Sequence, residues 1–84
     1  MVQAFDDVTE LVRTMVVQLV DDPQAVEVTG TDQGNGELYI EISVDDPDIG
    51  KVIGRQGRII KALRTLARAA ASQEGFRVEV ELAE

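Results

Sequence analysis

Two glycines three residues apart, Gly54 and Gly57, lie in a segment that is rich in cations. Residues 49–73 contain no acid and six of the eight cations of the chain, which are Lys51, Arg55, Arg58, Lys61, Arg64 and Arg68. Glycine lets a backbone approach a ligand closely, and cations bind phosphate oxygens. The types and spacing of these residues therefore predict a loop that binds phosphate groups.

The rest of the chain is strongly acidic. Outside residues 49–73, the other 59 of the 84 residues carry 16 acids and two cations, a balance of −14, and the whole chain has a net charge of −8. This charge distribution indicates one place that receives an anion. It leaves a second interpretation open, in which the acidic remainder docks a protein partner and contact with an anion is incidental.

Composition excludes most catalytic and metal chemistry. The chain has no Cys and no His, so the sequence offers no disulfide, no conventional zinc site and no His-based acid, base or nucleophile. Its acids are spread over predicted turns, helix starts and strand faces, so we expect neither an enzyme nor a bound metal or cofactor. No apolar run approaches the roughly 18 residues of a membrane span, and the N-terminus has no leader pattern. We therefore expect a cytoplasmic chain without membrane insertion.

Apolar periodicity predicts the elements that must position the loop. Apolar residues recur every three or four positions in the helices and alternate in the strands. The predicted elements are, in chain order, a helix over residues 3–21, strands over 25–30 and 37–44, helices over 47–53 and 57–73, and a strand over 76–82. Asp21-Asp22-Pro23 follows the first helix, and Gly34-Asn35-Gly36 joins the first two strands as a hairpin.

These elements predict one α+β domain, residues 1–84, with the order αββααβ. The last strand follows the second one through two helices, and such a crossover favours parallel pairing beside that strand. We expect a three-stranded mixed sheet with the helices packed on one face. Asp45-Asp46-Pro47-Asp48 is expected to cap the short helix and to complement the charge of the basic loop.

The loop at residues 54–57 is expected between two helices, with a helix N-terminus directly behind it. That N-terminus and the nearby cations all favour phosphate oxygens. Lys61, Arg64 and Arg68 are expected on the side of their helix opposite the apolar residues, where they steer a polyanion. Two alternatives remain: a plain turn beside a solvated basic face, and a helix-hairpin-helix for duplex DNA, against which the flanking strands argue.

Residues 49–61, Ile-Gly-Lys-Val-Ile-Gly-Arg-Gln-Gly-Arg-Ile-Ile-Lys, resemble the KH signature, and the αββααβ order is similar to the type II KH arrangement. A stand-alone acidic KH domain of this length resembles the bacterial KhpA family. The resemblance implies a small RNA-binding protein, an RNA chaperone, that pairs with a partner called KhpB and affects cell shape and cell-wall homeostasis.

The resemblance also implies roles for individual residues, because the GxxG loop of a KH domain clamps the backbone of about four nucleotides. Gly54 and Gly57 would allow the close approach, while Arg55 and Gln56 would face phosphate and sugar. The remaining site residues that we expect to contact single-stranded RNA adjoin this loop, namely Lys51, Val52, Ile53, Arg58, Ile60 and Lys61. The aliphatic ones would line one side of a groove and the last strand the other.

Two features predict weak binding by a single copy. The variable loop of a type II domain would be only Gln73-Glu74-Gly75 here, and outward Glu79 and Glu81 would add repulsion. Joining two modules raises avidity without new contacts to RNA. A homodimer, or a heterodimer with a KhpB-like protein, is therefore an expected assembly, with Val17 or Ala69 as interface candidates.

Overall fold

The computed structural model describes residues 2–84 and confirms the α+β fold with the order αββααβ. Its helices and strands are α1 (Val2–Val17), β1 (Glu27–Gly34), β2 (Glu37–Ser43), α2 (Ile49–Ile53), α3 (Arg58–Gln73) and β3 (Arg77–Leu82). Short 3₁₀ turns lie at Pro23–Ala25, Asp46–Asp48 and Arg55–Gly57. Over the described residues, no helix combines the length and the apolar character needed to cross a membrane.

The first helix ends at Val17, four residues before the predicted end at residue 21. Beyond it, the amide of Leu19 donates to the carbonyl of Val16, three residues back, at 3.0 Å. Such tightened bonds are common where a helix ends. Leu19 and Val20 still pack against the core. The apolar spacing therefore continues past Val17 although the helix does not.

The predicted hairpin is present, but β1 starts and ends later than predicted, at Glu27 and Gly34 rather than at 25 and 30. At its tip, Gly34, Asn35 and Gly36 all have positive φ, of 83°, 55° and 73°. The carboxylate of Asp32 accepts a hydrogen bond from the amide of Gly34 at 2.8 Å. Residues 31–34 of β1 are all exposed. They therefore show no alternation of buried and exposed side chains, and the sequence pattern predicted a strand that stops at residue 30.

β2 is the central strand of a mixed sheet with the order β1-β2-β3. β1 pairs with it antiparallel and β3 pairs with it parallel, as the crossover through two helices predicted. The amide of Arg77, at the start of β3, donates to the carbonyl of Gly36 at 2.9 Å. β3 is therefore an edge strand, and α3 packs against it.

The core lies between the sheet and the helices α1 and α3. Phe5 of α1 meets Phe76, just before β3, edge to face with ring centroids 4.7 Å apart. The buried stripe of α3 consists of Ile60, Leu63, Ala67 and Ala71. Leu66 of the same helix is 53% exposed because it lies about 100° around the helix from Ala67.

Candidate nucleic-acid interface

Gly54 ends α2 with a backbone that only glycine adopts readily. Its φ of 76° and ψ of 172° lie in a region that side chains exclude. A Cβ placed there would be 2.5 Å from Cγ1 of Ile59 and 2.8 Å from its Cβ. The first glycine of the loop is thus required both by its backbone and by the side chain packed against it.

The rest of the loop is a single 3₁₀ turn with two residues in the left-handed region. Gln56 has φ 57° and ψ 25°, and Gly57 has φ 73° and ψ 15°. A Cβ at Gly57 would meet nothing closer than Cε of Lys61 at 3.8 Å, so conformation rather than space selects this glycine. Within residues 2–84, no backbone hydrogen bond uses the amides of Arg55 and Gln56. Adjacent free amides of this kind form an anion-binding concavity.

Three of the predicted cations remain free beside this turn. Over the described part of the chain, Arg55, Arg58 and Lys61 form no ion pair with an acid, and all three are exposed. Nη2 of Arg58 donates to Oε1 of Gln56 at 3.0 Å. That bond ties the guanidinium to a side chain of the turn. The free amides and these cations together form a site that can bind a phosphate group.

Lys51 is placed differently from the other predicted cations. Its Nζ lies 3.2 Å from Oδ1 of Asp48 and 3.3 Å from Oδ2 of Asp21. Both carboxylates raise the pKa of Lys51, that of Asp48 more strongly. Because its charge is already compensated, Lys51 is less available to phosphate than the sequence indicated.

Asp48 holds the start of α2 to the segment that follows α1. It is 2% exposed, and its Oδ2 accepts a hydrogen bond from the amide of Asp22 at 3.1 Å. Burial raises the pKa of Asp48, but the amides of Asp22 and Asp21 and the ammonium of Lys51 outweigh burial, so the pKa is lowered. The expected capping is not observed, since neither Asp45 nor Asp48 makes a side-chain cap bond to its own helix.

The aliphatic residues predicted to line the groove are mostly buried. Val52 has no exposed surface and Ile60 is 7% exposed, because both pack into the core. Ile53 is partly exposed at the end of α2. Of these three, Ile53 presents the most surface beside the loop.

Arg64 and Arg68, which were expected on the side of α3 opposite its apolar residues, both contact residues of β3. Nε of Arg64 donates to the carbonyl of Val80 at 3.0 Å, and its Nη2 lies 3.5 Å from Oε2 of Glu81. Nη2 of Arg68 lies 4.0 Å from Oε2 of Glu79. The two glutamates expected to repel RNA are therefore paired with arginines of α3. Sequence could not show this contact, since it depends on which edge of the sheet α3 covers.

Comparisons with known proteins agree with this fold. The family model described as KhpA/KhpB, KH domain, matches residues 9–82. A curated protein of Caldanaerobacter subterraneus subsp. tengcongensis, named RNA-binding protein KhpA, is 52% identical over 73 residues, which is 87% of this chain and 96% of that protein. A protein of the same name from Clostridium acetobutylicum is 45% identical over 73 residues, with the same coverage.

Solved structures show the same fold inside larger proteins. Era from Aquifex aeolicus, bound to GDP and an aluminium fluoride, matches with a TM-score of 0.64 and 26% identity, over 89% of this chain and 29% of that one. Era in complex with MgGDPNP and nucleotides of 16S ribosomal RNA matches with a TM-score of 0.58 and 27% identity, over 89% of this chain and 28% of that one. The resemblance noted from the GxxG loop and the order of elements is confirmed, and the chain belongs to the KhpA/KhpB KH domain family.

Proposed function

We propose that this chain is a non-catalytic RNA-binding protein that grips single-stranded RNA at the GxxG loop. The observation that carries the proposal is the exposed turn of residues 54–57, with two unbonded amides and three unpaired cations beside it. The relatives named RNA-binding protein KhpA, and the Era structure that contains ribosomal RNA, support it.

The clamp acts on the sugar-phosphate backbone. The amides of Arg55 and Gln56 donate to phosphate oxygens, and the lack of side chains at Gly54 and Gly57 lets the strand approach them. Arg55 and Arg58 supply charge-assisted hydrogen bonds, while Lys61 attracts the strand from the first turn of α3. With about two to four phosphate contacts, the logarithm of affinity falls with the logarithm of salt at a slope of about −1.5 to −3.

The double variant Arg55→Asp/Gln56→Asp tests the clamp. The variant removes the charge-assisted contact of Arg55, worth about 1.5–3 kcal/mol, and places two carboxylates beside the phosphate, so affinity for a fluorescent single-stranded RNA should fall more than about tenfold in an anisotropy titration at fixed salt. Asp tolerates the left-handed backbone of position 56, so the fold is retained.

A matched control uses Arg13→Asp/Gln18→Asp on and just after α1, which makes the same charge change at exposed positions. This control should keep most of the binding. Equal losses in the two double variants would show that net charge, and not the loop, sets affinity. Unchanged binding in the loop variant would contradict the clamp. Competition by duplex DNA, if it matched single-stranded RNA, would favour the alternative of DNA binding.

We further propose that the chain acts in the bacterial cytoplasm as an RNA chaperone or post-transcriptional regulator linked to cell shape and the cell wall. The resemblance to the KhpA family implies this role, and the match of the family model over residues 9–82 agrees with that resemblance. RNA crosslinked to the protein in cells and then sequenced should change when the loop carries Arg55→Asp/Gln56→Asp. Recovery of the same RNAs with that variant would contradict the assignment.

The proposal includes a homodimer, or a heterodimer with a KhpB-like RNA-binding protein, which would add avidity to a weak single site. Leu66 on α3 is 53% exposed and Leu11 on α1 is 38% exposed, and Ala69 is also exposed. Val17 packs against the core, which makes it a poorer interface candidate than the sequence indicated. Light scattering should show an assembly that Leu66→Glu disrupts. A monomer at all concentrations, with and without the KhpB-like protein, would contradict it.

A further inference from the structure

A groove of about 530 Å³ runs between α3 and the edge strand β3, next to the GxxG loop. Its lining is polar and consists of Lys61, Arg64, Thr65, Arg68, Glu79 and Glu81. This groove continues the loop along α3, so an RNA strand leaving the clamp in that direction would lie in it. The groove therefore belongs to the path of the strand and not to the core.

The free side of β3 is covered in this conformation. The amide of Arg77 donates toward β2, and peptide groups alternate along a strand, so those of Val78 and Val80 point to the free edge. An uncovered edge would present these groups to a ligand. Instead, Val78 is 4% exposed and Val80 is 1% exposed. A base cannot reach this edge unless something that covers it moves.

Arg64 is the side chain that joins the two walls of the groove most closely. From α3 it donates to the carbonyl of Val80 at 3.0 Å and lies 3.5 Å from a carboxylate oxygen of Glu81. Its side chain is 31% exposed, against 55% for Arg68, whose pair with Glu79 is longer at 4.0 Å. Arg64 thus holds α3 to β3 by a hydrogen bond to the carbonyl of Val80 and an ion pair with Glu81.

We propose that Arg64 is a strap that closes the groove, and that RNA opens it by exchange. On binding, the guanidinium leaves Glu81 and the carbonyl of Val80 for an RNA phosphate, and the edge of β3 becomes accessible to a base. The inference rests on the proposed RNA binding and deepens it. Glu81 competes with RNA for Arg64, so it weakens binding beyond the repulsion that any acid of the chain exerts.

The first experiment compares Glu81→Gln with Glu27→Gln in titrations with a fluorescent single-stranded RNA. Both changes remove one negative charge and keep the shape of the side chain. Glu27 is exposed on β1, at the opposite edge of the sheet, and has no ion pair among the described residues. Releasing Arg64 should make the gain in affinity with Glu81→Gln about two- to fivefold larger than with Glu27→Gln.

The same two changes are then made in an Arg64→Gln background. There the extra gain of Glu81→Gln should disappear, because no strap remains to be released. Equal gains from both changes in the parent chain would overturn the proposal, since only general repulsion would be at work. Persistence of the extra gain without Arg64 would overturn it as well.

A readout without substitution guards against misfolded variants. The Nε–H resonance of Arg64 should be protected from exchange in the free chain and should shift when RNA is added. An unchanged resonance at saturating RNA would overturn the strap.

The variant Arg55→Asp/Gln56→Asp separates the two proposals. If this variant binds RNA as well as the parent does, the clamp at the GxxG loop is wrong. If it loses binding, but Glu81→Gln and Glu27→Gln raise the affinity of the parent chain equally, the clamp stands and only the strap is wrong.

Discussion

The molecule has two turns of similar backbone, the hairpin tip at residues 34–36 and the GxxG loop at residues 54–57. Each places a residue other than glycine at positive φ, Asn35 at 55° and Gln56 at 57°. At the hairpin tip, the carboxylate of Asp32 already accepts a hydrogen bond from an amide at 2.8 Å. Within the GxxG loop no carboxylate bonds to an amide, and unpaired arginines adjoin it.

The comparison shows that glycine geometry alone does not make a phosphate site. An acid that bonds to the amides of a turn satisfies them and repels an anion, whereas free amides beside cations attract one. The acids of this chain are concentrated outside residues 49–73, where they pair with Lys51 and Arg64 but not with the arginines of the loop. The function proposed here depends on that separation.

The largest effect is expected from alanine at the glycines of the two turns. Gly54→Ala should lower the free energy of unfolding by about 2–4 kcal/mol, because the added methyl meets Ile59 and the backbone is strained. Gly36→Ala should cost only about 1 kcal/mol, since a Cβ there meets nothing within 4 Å. Urea unfolding of both variants measures the difference. Equal costs would mean that the GxxG loop is no more constrained than the hairpin tip.

Acid should weaken the contact by which Asp48 supports the GxxG loop. The pKa of Asp48 is lowered in the folded chain, so its contribution to stability is present above the unfolded value of about 3.9 and is lost as pH falls through the folded pKa. The pKa of Lys51 is raised, so its contribution is present below about 10.5 and is lost as pH rises above that value.

Urea unfolding of the parent and of Asp48→Asn between pH 6 and pH 2 checks the acid limb. The stability difference between the two chains should be largest near neutral pH and should shrink steadily in acid. Asp32→Asn, which changes an exposed acid at the hairpin tip, serves as the control. A constant difference between the parent and Asp48→Asn would show that the buried carboxylate does not hold α2 in the way described.

The smallest effect is expected from glycine at the two left-handed positions. Gln rarely adopts this conformation and Asn does so readily. Gln56→Gly should therefore raise the free energy of unfolding by about 0.5–1 kcal/mol, while Asn35→Gly should change it by less than about 0.5 kcal/mol. A thermal scan measures both. Destabilisation by Gln56→Gly would mean that its bond to Arg58 outweighs the backbone strain.

The sequence predicted the order of elements and the loop because both depend on local patterns. Apolar spacing located the helices and strands, and the flanking helices with their cations distinguished residues 54–57 from the hairpin tip. The end of α1 was less predictable, because apolar residues such as Leu19 continue the helical spacing while packing from a non-helical segment. Apolar spacing therefore predicts which side chains are buried more reliably than it predicts the backbone conformation of the segment that carries them.

The pairing of charges was predictable only where it is local, as for Lys51 with Asp48, whereas pairs such as Arg64 with Glu81 depend on contacts between distant parts of the chain. Asp48 bonds to the amide of Asp22, 26 residues away, and Arg64 bonds to the carbonyl of Val80, 16 residues away. Both contacts require distant segments to pack together. The ion pairs that accompany them, Lys51 with Asp48 and Arg64 with Glu81, remove Lys51 and Arg64 from the set of free cations that the sequence offered.

Amide resonances of the chain, followed while single-stranded RNA is added, test the central claim most directly. The largest shifts should fall on Arg55, Gln56 and Gly57 at the GxxG loop, while Gly34 and Gly36 at the hairpin tip stay unchanged. This result would confirm that RNA binds where amides are free and cations are unpaired. Shifts centred on the hairpin or the open face of the sheet, with the loop unchanged, would contradict the account.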